Sequence, residues 1–235
     1  LWQQSFNLHQ RHIRSNQGES LMKKTNRLHF DPILDRKGFT LIELAIVLII
    51  IGIIIGAIVK GKDIVKSGEQ KKIYTKFINE WNLSFNNYYD RTGWILGDDA
   101  TDNNATRDGN CNPAATEANL EAQLQAVGLQ VPTAGPSGNS TERSYKDSNG
   151  VLHTLTIIFA YDASIGNFMR ITGTGGIPND LGRALDRMVD ETMDGTGGDL
   201  LYTADATASP IVTAAWPAAT AALVANSAII LRLQF

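Results

Sequence analysis

FTLIELAIVLIIIGIIIGAIV, residues 39–59, is the stretch from which the architecture can be read. At a rise of about 1.5 Å per residue it makes roughly 31 Å of α-helix, the hydrocarbon thickness of a bilayer. β-Branched Ile and Val crowd it, which in a short run would favour a buried strand. Over this length, with every backbone group needing an internal partner in lipid, a membrane-spanning helix is the reading. Gly52 and Gly56 stand four apart and leave a smooth patch where a second helix can approach closely. Spacing alone equally allows that they are merely tolerated in a membrane helix.

Glu43 breaks the run near its start. A carboxylate inside a membrane helix costs about 2.5–3.5 kcal/mol on insertion scales, so such a residue usually faces a partner. An interfacial position, where the side chain snorkels and meets the positive end of the helix dipole, is the simpler alternative. Apolar neighbours on both sides of Glu43 favour pairing.

Lys23, Lys24, Arg27, Arg36 and Lys37 precede the run, and Lys60, Lys62 and Lys66 come after it. The balance keeps the N-terminus cytoplasmic and exports the C-terminal domain. A secretory signal would place a small-residue cleavage site after the run; Gly56, Ala57 and Gly61 make a poor one, so an uncleaved anchor is the better reading.

The rest of the chain excludes more than it suggests. A net charge of −3 over 235 residues gives no nucleic-acid footprint. Cys111 is the only cysteine, so no intrachain disulfide can form, and His153 is the only histidine beyond the apolar run. That is little equipment for zinc or for triad catalysis, and neither a phosphate-cradling loop nor a nucleophile elbow is present. The composition leans away from an enzyme.

The segment Gly38-Phe39-Thr40-Leu41-Ile42-Glu43-Leu44, a basic leader ending in Gly before a long apolar helix, resembles the class III signal of type IV pilins and type II secretion pseudopilins. The resemblance is specific for about the first 25 residues from Phe39. It implies that a prepilin peptidase cuts between Gly38 and Phe39, that Phe39 is then N-methylated, and that Glu43 pairs with the amino terminus of a neighbouring subunit, with Phe39, Thr40 and Leu41 at the same assembly site. It further implies other pilin or pseudopilin subunits and an inner-membrane assembly platform as partners, and an inner-membrane location with the C-terminal domain in the periplasm. The family's adhesive major pilins usually close a C-terminal loop with a disulfide, which this chain cannot do, favouring a minor pilin or pseudopilin. Retention of Glu43 favours a place in the shaft. The competing class is an exported, membrane-anchored enzyme or binding protein that never polymerises.

The architecture expected is α+β: a long N-terminal helix, its first half membrane-spanning, packed on a small antiparallel sheet. We divide the chain into a leader, 1–38, a spanning helix, 39–59, its periplasmic continuation, 60–90, and a globular domain, 91–235. Met22-Lys23-Lys24 reads as a natural start, so residues 1–21 are expected to be upstream sequence or part of a long leader, and disordered.

Ile73, Phe77, Trp81 and Phe85 recur every four residues, with Tyr74, Ile78 and Tyr88 beside them, an apolar stripe for a sheet. The helix is expected to end near Tyr89, and Gly61 and Gly68 to bend or melt it. Tyr88, Tyr89, Gly93 and Trp94, followed by Gly97-Asp98, resemble the tyrosine-rich stretch after the long helix of many pilin-like proteins. Glu117–Val127 reads as a helix through Leu120, Leu124 and Val127 with Gly128 as its cap, and residues 131–150 as a flexible connection. Leu152–Tyr161 and Asn167–Thr172 read as a hairpin, Pro178–Val189 as a helix with Leu181, Leu185 and Met188 inward, Thr203–Ala225 as a loop, and Asn226–Phe235 as a terminal strand.

Two acidic stretches are candidates for calcium. Asp98, Asp99, Asp102 and Asp108 lack the spacing of a calcium loop and read as solvated turn residues. Asp190, Glu191, Asp194 and Asp199 are the better set, because major pseudopilins carry a calcium-binding loop in their C-terminal region. No other cofactor is implied. A minor pilin that binds DNA or surfaces would need Arg170, Arg183, Arg187 and Arg232 to converge; His153 reads as a satisfied structural histidine.

Overall fold

The computed structural model describes residues 38–98, 107–112 and 117–234. Leader residues 1–37, with the basic residues and residues 1–21, and Asp99 and Asp102 lie outside the described residues. The chain divides into two units at Ile49–Ile50.

In the first unit the backbone becomes helical at Leu41, where α1 (Leu41–Ile73) begins. Every residue from Gly38 to Ile49 is exposed.

In the second unit α1 continues without interruption through Gly61 and Gly68. The helix is not melted at these glycines: the irregularity in hydrogen bonding lies instead at Tyr74–Ile78, a π-helical stretch leading into α2 (Asn79–Thr92). The apolar spacing explains it. Residues four apart drift about 40° per step around an α-helix, so Ile73, Phe77, Trp81 and Phe85 would spiral off one face. The wider π turn, closing i→i+5, absorbs part of the drift. Phe77, Ile78, Trp81 and Phe85 are all buried to within 1 %. The helix passes the expected end at Tyr89 and stops at Gly93, whose φ of 71° lets its N–H turn back to the Tyr89 carbonyl at 2.7 Å.

The sheet is antiparallel throughout, in the order β1-β2-β3-β5-β4. Its strands are β1 (Glu142–Lys146), β2 (Leu152–Asp162), β3 (Gly166–Gly173), β4 (Leu200–Thr203) and β5 (Ala228–Arg232). The expected hairpin is present as β2–β3, with Phe159 opposite Met169 and Asp162 opposite Gly166 at the turn. Alternation along β2 sends Leu155, Ile157 and Phe159 to the helical face. There Trp81 meets Phe159 edge-on at 5.8 Å and Phe85 stacks on it at 5.2 Å. Each such buried side chain contributes about 1.5–3 kcal/mol. Leu120 and Leu124 of α3 (Glu117–Ala126) and Leu181 and Leu185 of α4 (Asn179–Val189) complete this core. A smaller cluster of Ala160, Phe168, Leu201 and Ile230 covers the other face.

Three further expectations are corrected. Residues 131–150 are not simply a connection, for they contain β1. Glu117 accepts hydrogen bonds from Ser140 Oγ at 3.0 Å and Thr141 N at 3.1 Å, and Arg143 binds the Thr133 carbonyl, so the segment is tied down. β4 emerges from what read as turn and loop. Met188 is 38 % exposed, and the buried residue on that part of α4 is Asp186. Its Oδ2 accepts from Trp216 Nε1 at 2.7 Å and Gly195 N at 3.1 Å. Gly182 sits directly beneath the Trp216 ring, where a Cβ would come within 2.2 Å of it.

Candidate functional site

Thr40 and Glu43 form a reciprocal motif where α1 begins. Thr40 is the last non-helical residue, and Glu43 stands three places further on. Glu43 Oε2 accepts from the Thr40 backbone N at 2.8 Å and from Thr40 Oγ1 at 2.9 Å, while Glu43 N donates to Thr40 Oγ1 at 3.3 Å. This is a capping box, which satisfies helix-start donors that would otherwise have no partner. The pattern Thr-x-x-Glu was its signal in the sequence, and the reading of Glu43 as needing an external partner passed over it.

The Gly38–Phe39 peptide lies just before this box, with Gly38 exposed and Phe39 82 % exposed. Because the box uses the amide N of Thr40 and not of Phe39, scission between Gly38 and Phe39 leaves its hydrogen bonds intact. In the second unit every residue from Ile50 to Lys60 is exposed, including Ile53, Ile54, Ile55, Ile58 and Val59, each more than half exposed. Among the described residues nothing lies within 4 Å of where a Cβ would stand at Gly52 or Gly56. Apolar surface of this extent marks a lipid or protein contact.

The other candidates are structural where they are described. The Asp190 carboxylate accepts from Asp199 N at 2.9 Å and Leu200 N at 2.8 Å, and Asp194 Oδ1 from Thr196 N at 2.8 Å and Gly197 N at 2.9 Å. The Gly197 and Thr196 amides hold the Asp194 carboxyl below the usual carboxylate range. Asp199 accepts from Gln234, and Glu191 points to solvent. Among the described residues no three His, Cys, Asp or Glu side chains are grouped to hold a metal, so the calcium set is not gathered. Asp98 is buried, in contrast to the solvated residue expected, and accepts from Gly109 N at 2.9 Å. Cys111 is a buried free thiol whose ionisation burial pushes far up. His153 is buried, with Nδ1 3.1 Å from the Thr174 carbonyl and Nε2 3.3 Å from Asp147. Arg170 and Arg183 bind the carbonyls of Ala206 and Pro217.

Residues 34–59 match the model of the prokaryotic N-terminal methylation motif. The chain carries the prepilin-type signal of the type IV pilin and pseudopilin family. No curated protein and no solved structure matches the chain. With the long apolar helix ahead of a five-stranded antiparallel sheet, the fold is α+β and pilin-like. The prepilin-type signal implies processing by prepilin peptidase and pilin assembly, and with the apolar helix it suggests an inner-membrane-anchored prepilin with a periplasmic domain.

Proposed function

We propose that this chain is a structural subunit of a type IV pilus or pseudopilus, a minor pilin or pseudopilin, and not an enzyme. The prepilin peptidase cleaves between Gly38 and Phe39, and Phe39 is N-methylated. The observation that carries the reading is the methylation motif at 34–59, coincident with a helix whose most apolar stretch is long enough to cross a membrane and unburied. Such a helix has two uses in turn: it anchors the subunit in the inner membrane, and it packs against its counterparts in the filament.

Cleavage gives Glu43 its role. It creates a cationic amine at Phe39, two residues before the first helical residue Leu41, where the macrodipole disfavours positive charge. A carboxylate from a neighbouring helix relieves this, and in an apolar environment the pair is strong. Thr40 holds the Glu43 carboxylate through Oε2, at the level of the helix start. Docking of Phe39 of one subunit on Glu43 of the next then sets the axial register, and the assembly platform delivers subunits from the membrane.

The test is Glu43→Ala in cells that carry the peptidase and an assembly system. A filament subunit loses incorporation into sheared filaments by at least tenfold while the processed protein stays in the membrane. A non-polymerising anchored binding protein or enzyme, the competing reading, is unaffected or inserts better.

A further inference from the structure

The two edges of the sheet differ. At β4 the chain closes its own edge, since Tyr202 N donates to the Gly195 carbonyl at 2.7 Å and Ala214 N to the Tyr202 carbonyl at 2.8 Å. At β1 the bonds Ile157 N to Thr141 O and Asp147 N to Val151 O, both 2.9 Å, fix which residues face β2. By alternation the main-chain groups of Ser144 and Lys146 point outward, and among the described residues they have no backbone partner. Beside this open edge runs a groove of about 650 Å³ between the long helix and β1. Leu152, 67 % exposed, gives it apolar surface, and the buried Ile73 and Phe77 form its floor. Lys72, Lys76, Arg143 and Lys146 outnumber Glu69 and Glu80 along it, and Arg143 is already spent over the Phe77 ring at 5.1 Å and against Glu80.

The opposite charge lies at the other end of the sheet. The turn from Asp190 to Asp199, which runs directly into β4, carries four carboxylates and no Lys or Arg. Its Asp190 is bonded to the backbone of Asp199 and Leu200 and holds the turn closed, with Glu191 and Met193 exposed. Three strands separate β1 from β4, about 19 Å at roughly 4.8 Å per strand. The groove and the turn of one molecule are thus different patches on opposite sheet edges.

We infer that the basic groove between the long helix and β1 docks the acidic turn Asp190–Asp199 of a second copy of this chain. Complementary patches on opposite edges make a heterologous contact, which repeats from copy to copy and generates an open helical assembly. This inference rests on the filament reading and assigns a globular contact to it. Lipid headgroups do not account for the groove: Glu69 stands ten residues beyond Val59, about 15 Å further along the helix, and the headgroup layer is only about 5–8 Å deep.

The test is oxidative cross-linking of the full, processed chain in membranes, with Ser144→Cys in the groove and Thr192→Cys in the turn. Both positions are exposed and uncharged, and Cys111 is buried. The doubly substituted chain is expected to give a ladder of covalent oligomers, at least tenfold stronger than either single substitution gives. Lys76→Glu should abolish the ladder, and adding Glu191→Lys should restore it. Filaments without a ladder would overturn the docking and leave the filament reading standing, whereas a ladder without filaments would keep the contact and remove that reading. Dimers from one cysteine alone, or cross-links only to other proteins, would overturn the contact, and absence of both ladder and filaments would overturn both.

Discussion

Asp186, fully buried on α4, accepts the indole N–H of Trp216 at 2.7 Å from a loop thirty residues further on. The same oxygen takes the Gly195 amide, and Oδ1 has no hydrogen-bond partner among the described residues. One carboxylate therefore organises both the acidic turn and the long loop before β5. Replacing it by Ala leaves two buried donors unpaired, so Asp186→Ala should lower stability by about 2–4 kcal/mol. Denaturant unfolding of the detergent-solubilised chain, followed by Trp fluorescence, checks this.

Gly182 admits the Trp216 ring because it has no Cβ. Gly182→Ala forces the indole off Asp186 and should cost about 1–3 kcal/mol. Since both substitutions act on Trp216, the double variant should lose clearly less than the sum. Additive losses would mean that the two residues do not share this ring.

The pH dependence has two opposing parts. Burial draws the Asp180 carboxyl upward, but hydrogen bonds from Lys66, Ser148 and Tyr145 outweigh it and hold it below the usual range. A carboxyl depressed in the folded state stabilises above its unfolded pKa of about 3.9, and that stability is lost as pH falls through the folded value. Burial, reinforced by Asp190 and Asp194, raises the Asp186 carboxyl despite the bonds from Trp216 and Gly195. Its sign is reversed: the contribution is full below the unfolded pKa and is lost as pH rises through the folded one. Asp180→Asn should flatten the acid limb of a stability–pH curve, and Asp186→Asn the limb above pH 4.

The capping box predicts a local effect. Thr40→Ala removes the hydroxyl partner of Glu43 and should weaken the helix start by about 1 kcal/mol, with Thr40→Ser restoring it. Amide exchange at Leu41–Glu43 in micelles should speed up in the first variant and not in the second.

Cys111 is 2 % exposed, so a maleimide should leave the native chain unlabelled and label it fully in denaturant. Rapid labelling without denaturant would contradict the packing at Leu96, whose carbonyl lies 3.5 Å from Sγ.

The long helix and its stripe were legible because apolar spacing is a one-dimensional signal, and the β2–β3 hairpin because Leu152–Tyr161 alternates. β1 was hidden: in Glu-Arg-Ser-Tyr-Lys only Tyr145 is buried, and a charged edge strand looks like a loop. β4 was hidden for the converse reason, since all four of its residues are buried and no alternation shows. Met188 was placed inward by helical periodicity, but a buried acid that bonds Trp216 across thirty residues leaves no periodic trace. At the candidate site Gly38, Phe39 and Glu43 were legible as a motif; the reciprocal bonds of Thr40 and Glu43 were written in Thr-x-x-Glu and obscured by the membrane reading of the same carboxylate.

Whether the chain is processed as a prepilin is decided by the mass and N-terminal sequence of the membrane-extracted protein, produced with and without prepilin peptidase. A pilin subunit shows a peptidase-dependent N-terminus at Phe39, heavier by one methyl group. An intact leader in the presence of the peptidase, or cleavage beyond Val59, would contradict it.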